Sequence, residues 1–562
     1  MGTLASLTVA PAAAQRFGPP DVPIGAPATR PLEEFPGFAP PPAEAPVLEL
    51  PARRDAAAPA ARDGLSPRVR IRGVRVTGST VFSDAELAPL TDPYRDREVT
   101  IEDLEALRQA LTRLYVDRGY VNSGAVIPDQ RVGDGVVELR IVEGRLTQID
   151  VSGNRQLRAE YFAERLALDA GPPLNTGEVA QRLQILLQDP LVERINAAIE
   201  PGARPGEARL RARVAETEPY RFSIGADTDV SPSLGEARGV LRGQLLSPLG
   251  LGDTLTAEAA LAEGLQDYVI DYAIPLTPRD LTFNVYYERT TSDVIEKPLS
   301  DLDLEGETGT LAFRLGQPVY RTGSEQLTLA MGLDLRESQT YLLGTGFPLA
   351  AGVEPDGSSR VTVLRFLQDW ISRDETQVLA ARSTLSWGLD AFDATINDNG
   401  DPDGRFFAWL GQLQWAGRLG DSDNQLVFRL QGQLSSDRLL PLEQFAVGGL
   451  WSVRGYRTNA LVRDQGFATS LELRVPVLYR EDGAPLLQVV PFVDAGGAWF
   501  KDGNSPDPTL ITSAGLGLRF DPHPRVHAEL YWGKAFQKDD LIGPGDSIQD
   551  AGWSFLLTAN LF

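Results

Sequence analysis

From about Glu218 to Phe562 the chain runs in segments of roughly ten residues that alternate apolar and polar, with turn-rich stretches between them. This rhythm constrains the fold more than any other feature. A strand with one apolar and one polar face must put each face against a different medium. Leu281-Thr282-Phe283-Asn284-Val285-Tyr286-Tyr287 is one such segment. In another, Leu426, Phe428 and Leu430 alternate with Gln425, Val427, Arg429 and Gln431, and Val427 alone breaks the polar phase. Trp553, Phe555, Leu557, Ala559 and Leu561 form the last. About 345 residues in strand–turn units of about 20–22 give roughly 16 strands. Long polar connections, Asp393–Arg405 and Lys501–Pro508, suit the outer loops of a transmembrane barrel. Mean hydropathy is −0.17 and no 18-residue apolar run exists, which excludes a helical membrane protein but not a barrel. The soluble alternative is a large sandwich or propeller, although no blade-length repeat shows.

Residues 68–217 have another texture. Arg68-Val69-Arg70-Ile71 starts a short alternating strand that continues through Val74-Arg75-Val76 to Gly78. Ser83-Asp84-Ala85-Glu86 has capping-box form and opens a helix, and Thr100-Ile101-Glu102-Asp103 opens a second. Ile101, Leu104, Leu107, Leu111 and Leu114 recur at helical spacing on one face. Two strands follow, Tyr120–Ile127 and Val136–Val142. The order then repeats. Ile149-Asp150-Val151-Ser152-Gly153 stands 75 residues after Val74-Arg75-Val76-Thr77-Gly78. Asn175-Thr176-Gly177-Glu178 is again a helix start, with Val179, Leu183, Leu186 and Leu187 on its apolar face. Strands at Val192–Ile199 and Ala208–Val214 complete two copies of one α+β module. The expected division is 68–144, 145–217 and a barrel over 218–562.

Residues 1–67 hold 14 of the 41 prolines and read as a Pro/Ala-rich linker. The opening LASLTVAPAAAQ reads either as a remnant of a secretory signal, with Ala12-Ala13-Ala14 before Gln15, or as a disordered tail.

Composition narrows the chemistry. The chain has no Cys and two His, so thiolate sites and histidine clusters have no material. A net charge of −24 has the wrong sign for a nucleic-acid binder. His523 and His527 stand four apart beside Pro522 and Pro524, which reads as a turn entering a strand. Asp401-Pro402-Asp403-Gly404 reads as a polar loop in preference to a calcium loop. No catalytic elbow, zincin or phosphate-loop motif is present, so neither catalytic residues, nor a metal, nor a cofactor is expected.

The most informative stretch is Phe445-Ala446-Val447-Gly448-Gly449-Leu450-Trp451-Ser452-Val453-Arg454-Gly455-Tyr456. An Arg set between apolar residues and Gly can lie deep in a crowded space, where it needs a carboxylate. Phe492-Val493-Asp494-Ala495-Gly496 places one carboxylate mid-strand beside small residues. Alone, R-G-Y reads first as a surface turn and D-A-G as a turn after a strand.

Together they make the chain resemble the outer-membrane transporters of two-partner secretion, the haemolysin secretion/activation protein family. That family belongs to the superfamily that also holds the barrel-assembly proteins. Val453-Arg454-Gly455-Tyr456 matches the signature of the loop that folds back into the barrel, and Phe492 to Gly496 matches the F-x-D-x-G strand motif. The resemblance implies that Arg454 pairs with Asp494, with Glu472 in Ser470-Leu471-Glu472 sharing the Arg. Arg118-Gly119-Tyr120, Ile127-Pro128-Asp129-Gln130, Val142-Glu143-Gly144 and Ser247-Pro248-Leu249-Gly250-Leu251-Gly252-Asp253 resemble the secretion branch. Two departures stand out. Residues 15–60 are too rich in Pro for the plug helix that members often carry. Phe562 also stands out of phase with Trp553 to Leu561.

The resemblance implies a mainly β fold, with two periplasmic POTRA modules before a 16-stranded antiparallel barrel in the bacterial outer membrane. It implies transport of a partner exoprotein, a β-helical adhesin or cytolysin, without ATP. The expected partners are that exoprotein and outer-membrane lipid; nucleic acid is not one, and the expected state is a monomer. An extended cargo segment would add to an exposed sheet edge, for which Val121 to Ile127 and Val192 to Ile199 are the candidates. The alternative in the same superfamily is a barrel-assembly factor. A passive porin and a hydrolase are the remaining classes.

Overall fold

The computed structural model describes residues 48–50, 68–168, 170–297, 299–537 and 547–562. The expected signal remnant and linker over 1–67 therefore lie outside the described residues, except at 48–50. Two compact units follow, Glu44–Thr217 and Glu218–Phe562, and each is described by itself.

In the first unit the caps set the helices. The Glu86 carboxylate accepts from Ser83 N at 2.9 Å and opens the helix Asp84–Thr91. Thr100 and Asp103 exchange side-chain-to-backbone hydrogen bonds and open Ile101–Asp117. That helix buries Leu107, Leu111 and Tyr115, whereas Ile101 is exposed, so the packed face is rotated from the one the spacing suggested. The run from Arg68 to Gly78 is two strands, not one. Val69–Ile71 pairs with Arg97–Val99, and Gly73–Thr77 pairs in parallel with Val136–Val142. The expected strand Tyr120–Ile127 shrinks to Gly124–Val126.

The second module repeats this plan with helices Ala159–Ala167 and Thr176–Leu186 and strands Arg145–Ser152, Val192–Pro201 and Glu207–Glu216. The Asn175 side chain caps the second helix by accepting from Gly177 N at 2.8 Å. Leu48–Glu49 adds in parallel to Val192–Pro201, opposite Ala197 and Ala198.

One glutamate does the same job in each copy. Glu143 accepts from the amides of Thr80 and Val81, and Glu216 accepts from those of Arg155, Gln156 and Leu157. Each ties the last strand of its module to the bend before its first helix.

In the second unit the alternating segments become a closed antiparallel barrel. Its strands are β1 (Tyr220–Asp227), β2 (Arg238–Leu246), β3 (Thr254–Ala262), β4 (Leu265–Pro275), β5 (Thr282–Asp293), β6 (Leu304–Arg321), β7 (Glu325–Leu342) and β8 (Ser358–Arg373). They continue as β9 (Gln377–Leu389), β10 (Phe407–Arg418), β11 (Gln425–Ser435), β12 (Gln465–Tyr479), β13 (Pro485–Trp499), β14 (Leu510–His523), β15 (Val526–Ala535) and β16 (Trp553–Asn560). β1 pairs with β16 from Ser223↔Asn560 to Asp227↔Leu556, which closes the ring.

The faces are inverted relative to a soluble barrel. Val493, Leu516, Leu518, Phe520 and Leu557 are exposed, whereas Gln412, Gln414, Gln433, Arg365, Glu472 and Asp494 are buried. Apolar-out and polar-in is the pattern of a strand between lipid and a polar lumen. Val427, the residue out of phase, is buried on the inner side with Val378 and Ala416. His523 ends β14 and His527 lies in β15, so the expected turn entering a strand falls between them.

Burial opposes ionisation of Glu143, but hydrogen bonds from Thr80, Tyr115 and Val81 outweigh it and hold the carboxyl below the ordinary glutamate range. The stability it contributes is thus present above its unfolded pKa and is lost as pH falls through the lower folded value. Glu143→Ala is expected to cost on the order of 1–2 kcal/mol. Hydrogen exchange at Thr80 and Val81 checks this. Protection beyond the intrinsic rate falls on acidification in the wild type and is already low, without that step, in the variant.

Candidate functional site

The segment between β11 and β12 turns inward. Its base is a two-stranded hairpin, Phe445–Val447 with Leu461–Arg463, and its tip carries Arg454 and Arg457. Gly448, Gly449 and Gly455 all have positive φ, at 118°, 92° and 90°, which is the freedom the tip requires. Phe445, Val447, Val453, Tyr456 and Leu461 pack against Leu410, Ala468, Ala498 and Ile511 on the inner wall. Gly496 leaves room for Val447 and Val453; a Cβ there would stand 2.5 Å from Val447 Cγ1.

Arg454 is 3% exposed and its guanidinium is enclosed on every side. Nε donates to Asp494 Oδ2 at 2.8 Å and Nη2 to Asp494 Oδ1 at 2.7 Å, a bidentate pair. Nη1 donates to Glu472 Oε1 at 2.6 Å, and Nη2 also reaches Ser470 Oγ at 2.9 Å. The backbone N–H of Arg454 donates to Asp494 Oδ2 at 3.1 Å. The guanidinium carbon lies 3.7 Å from the Phe492 ring centroid and 4.7 Å from that of Tyr531. Tyr456 OH shares its one proton between Gln537 Oε1 at 2.9 Å and Thr512 O at 3.1 Å and accepts from the Gln537 N–H at 2.9 Å, which fixes the residue two after the Arg.

Sequence reasoning named Arg454, Asp494, Glu472, Val453, Gly455, Tyr456, Phe492 and Gly496, and the fold brings these together. It missed the residues that complete the site. Glu472 is shared with Arg429 at 2.8 Å and Arg474 at 3.2 Å. Tyr531 donates to Glu529, which pairs with Arg519 and His527. His527 thus sits between Asp521 and Glu529 in an ionic row along the wall. Charged residues in the inner phase of apolar strands were the available signal for this row. Among the described residues no cluster of metal-ligating side chains occurs. Asp403, in the loop weighed as a calcium site, accepts from Arg405.

The candidate cargo edges are placed differently from the expectation. Val121 lies in a turn and Ile127 follows the strand. Between them, the Ala125 N–H donates to Thr112 Oγ1 at 3.0 Å, so the helix covers that edge. Val192 and Ile199 are buried in a strand that already has Glu207–Glu216 on one side and Leu48–Glu49 on the other.

A closed barrel of polar interior, with an inward segment pinned by a buried Arg in V-R-G-Y to the Asp of F-V-D-A-G, now meets the comparisons with known proteins. Residues 206–520 match the family described as haemolysin secretion/activation protein ShlB/FhaC/HecB, and residues 69–144 match the ShlB-type POTRA domain. The chain belongs to the haemolysin secretion/activation protein family. It is 24% identical over 410 residues to the outer membrane transporter CdiB of Dickeya dadantii (strain 3937), covering 71% of each chain. It is 24% identical over 455 residues to the hemolysin transporter protein ShlB of Serratia marcescens, covering 78% of this chain and 79% of that one. The solved structure of CdiB from Escherichia coli superposes with a TM-score of 0.63 at 21% identity, over 90% of this chain and 92% of that one. Membership in this family of secretion transporters places the barrel in the outer membrane and the POTRA domain in the periplasm.

The approach of Gly455 to β15 generates a test. A Cβ on Gly455 would stand 2.7 Å from Gly533 O, at a φ that L side chains rarely adopt. Gly455→Ala is therefore expected to lift the tip off the wall. The chain has no Cys, so a single Ser452→Cys substitution reports the lift cleanly. Maleimide is expected to label the introduced thiol slowly in Ser452→Cys alone, and several-fold faster once Gly455→Ala is added.

Proposed function

We propose that this chain is the pore of a two-partner secretion system that carries one large exoprotein of β-helical adhesin or cytolysin type to the cell surface. The observation that carries the reading is the inward segment. A passive solute pore has no use for a buried Arg that fastens a removable segment across its lumen. A transporter that must hold its barrel shut and then admit a polypeptide does. The periplasm supplies no ATP, so transport draws on binding and on folding of the cargo outside. The barrel pairs its own first and last strands, leaving no edge for a second copy, which supports a monomer.

For cargo capture, the better edge is Arg145–Ser152. It ends its sheet opposite Leu48–Glu49 and has no further strand beyond it among the described residues. An extended segment added there would be held by main-chain hydrogen bonds with little sequence reading. In a parallel pair, successive N–H groups point to opposite sides. Of Ile149→Pro and Asp150→Pro, one removes an outward donor and is expected to lower capture of cargo by the full-length protein. The other removes a ladder bond and is expected to loosen the module, seen by hydrogen exchange.

The main test is secretion in a host that lacks the natural system. Co-expression with the large exoprotein encoded beside this chain is expected to put cargo outside intact cells only when this chain is present. Arg454→Ala leaves Asp494 buried without its bidentate partner, a loss on the order of 3–5 kcal/mol. It is expected to lower secretion while a heat-modifiable barrel still accumulates in the outer membrane. Cargo trapped in the periplasm beside a wild-type barrel would favour the barrel-assembly role instead.

A further inference from the structure

The inward segment is fastened at three places, not one. The second is Glu443, in the turn Pro441–Glu443 that precedes the hairpin, and it is 3% exposed. Its Oε1 accepts from Arg336 Nη1 at 2.6 Å on β7, and both its oxygens accept from Arg365 Nη2 on β8, at 2.9 Å and 3.0 Å. Arg336 Nη1 also donates to Leu442 O. The third is Arg457 at the tip, bidentate to Asp550 and to Glu296 in the connections before β16 and after β5.

The first two anchors have opposite polarity. At Arg454 the segment brings the cation and the wall brings the carboxylates. At Glu443 the segment brings the carboxylate and the wall brings the cations. The wall there holds Arg314, Arg336 and Arg365, and Asp334 pairs with Arg314 and Arg365. Two buried donors, Arg314 Nε and Arg336 Nε, have no acceptor among the described residues. When the segment leaves, Arg336 loses its carboxylate and Arg365 keeps only Asp334, which it shares with Arg314, and a buried cation without a counter-charge is costly. A carboxylate arriving in an extended polypeptide satisfies these arginines as Glu443 does.

We propose that Arg336 and Arg365 form a carboxylate-binding site on the lumen wall, occupied at rest by Glu443 and taken over by an acidic side chain of the polypeptide entering the pore. The exchange releases the first part of the inward segment and leaves the Arg454 and Arg457 anchors as its hinge. The incoming charge replaces the outgoing one, so no uncompensated cation stands in the lumen at any stage.

This inference rests on the secretion-pore reading, which the secretion assay of the wild-type chain tests separately. The test of the site is conductance of the full chain in a planar lipid bilayer. The probes are a decapeptide of glutamate and a decapeptide of glutamine, added to the periplasmic side. The glutamate peptide is expected to raise the open fraction of the wild type about tenfold, and the glutamine peptide to leave it unchanged. Glu443→Gln keeps the shape but not the charge. It is expected to open about as often without peptide as the wild type does with the glutamate peptide, and to gain little from adding it. Glu443→Asp is expected to restore closure in part. Heat-modifiable migration confirms that each barrel is intact. Equal opening by both peptides, or wild-type closure in Glu443→Gln, would overturn the proposal, whether or not the wild type secretes.

Discussion

The second unit is organised around a charge that is out of water. Arg454 is enclosed by two carboxylates, a serine hydroxyl and two aromatic rings. Desolvating a guanidinium is expensive, and only near-complete pairing repays it. That requirement fixes much else. Asp494 and Glu472 must face inward from β13 and β12, so the phase of both strands is set. Glu472 then draws in Arg429 and Arg474, and Tyr531 and Glu529 extend the row to Arg519 and His527. The wall on this side is a polar sheet whose members hold one another in place, and the lipid side is free to be uniformly apolar.

Glycine does the complementary work. Where the tip meets β15, backbone lies on backbone at Gly455 and Gly533; where the hairpin base meets β13, Gly496 admits two valines. The ionic contacts supply strength and the missing side chains supply closeness. Neither suffices alone, because a charge-assisted pair loses its advantage when its partners stand an ångström too far apart.

Much of this was legible in the sequence, for identifiable reasons. A period of two repeated over a third of a thousand residues, roughly, leaves few folds, and the strand count followed from unit length. The paired modules were legible because caps and bends recur: Thr100 and Asn175 both begin helices, and Gly78 and Gly153 both stand in the bend before a module's first helix. Arg454 and Asp494 were brought together by resemblance, since each motif alone reads as a turn. What escaped depended on distant partners. Nothing around Glu443 distinguishes it from a solvated turn until β7 and β8 place two arginines beside it. The covers on the two candidate edges were not legible because they are remote or unremarkable in sequence. Thr112 lies on a helix, and Leu48–Glu49 sits in a proline-rich stretch. The break at Arg72, which splits one apparent strand into two, carries no residue that forces it.

The position of the inward segment between β11 and β12 has a consequence for how the barrel is made. The segment is synthesised before β12 and β13, which hold the partners of Arg454, and before β15, which holds the glycine its tip rests on. It cannot seat until the last quarter of the ring has formed around it. Seating of the segment is therefore a late step, one that waits for strands not yet made when the segment itself is synthesised.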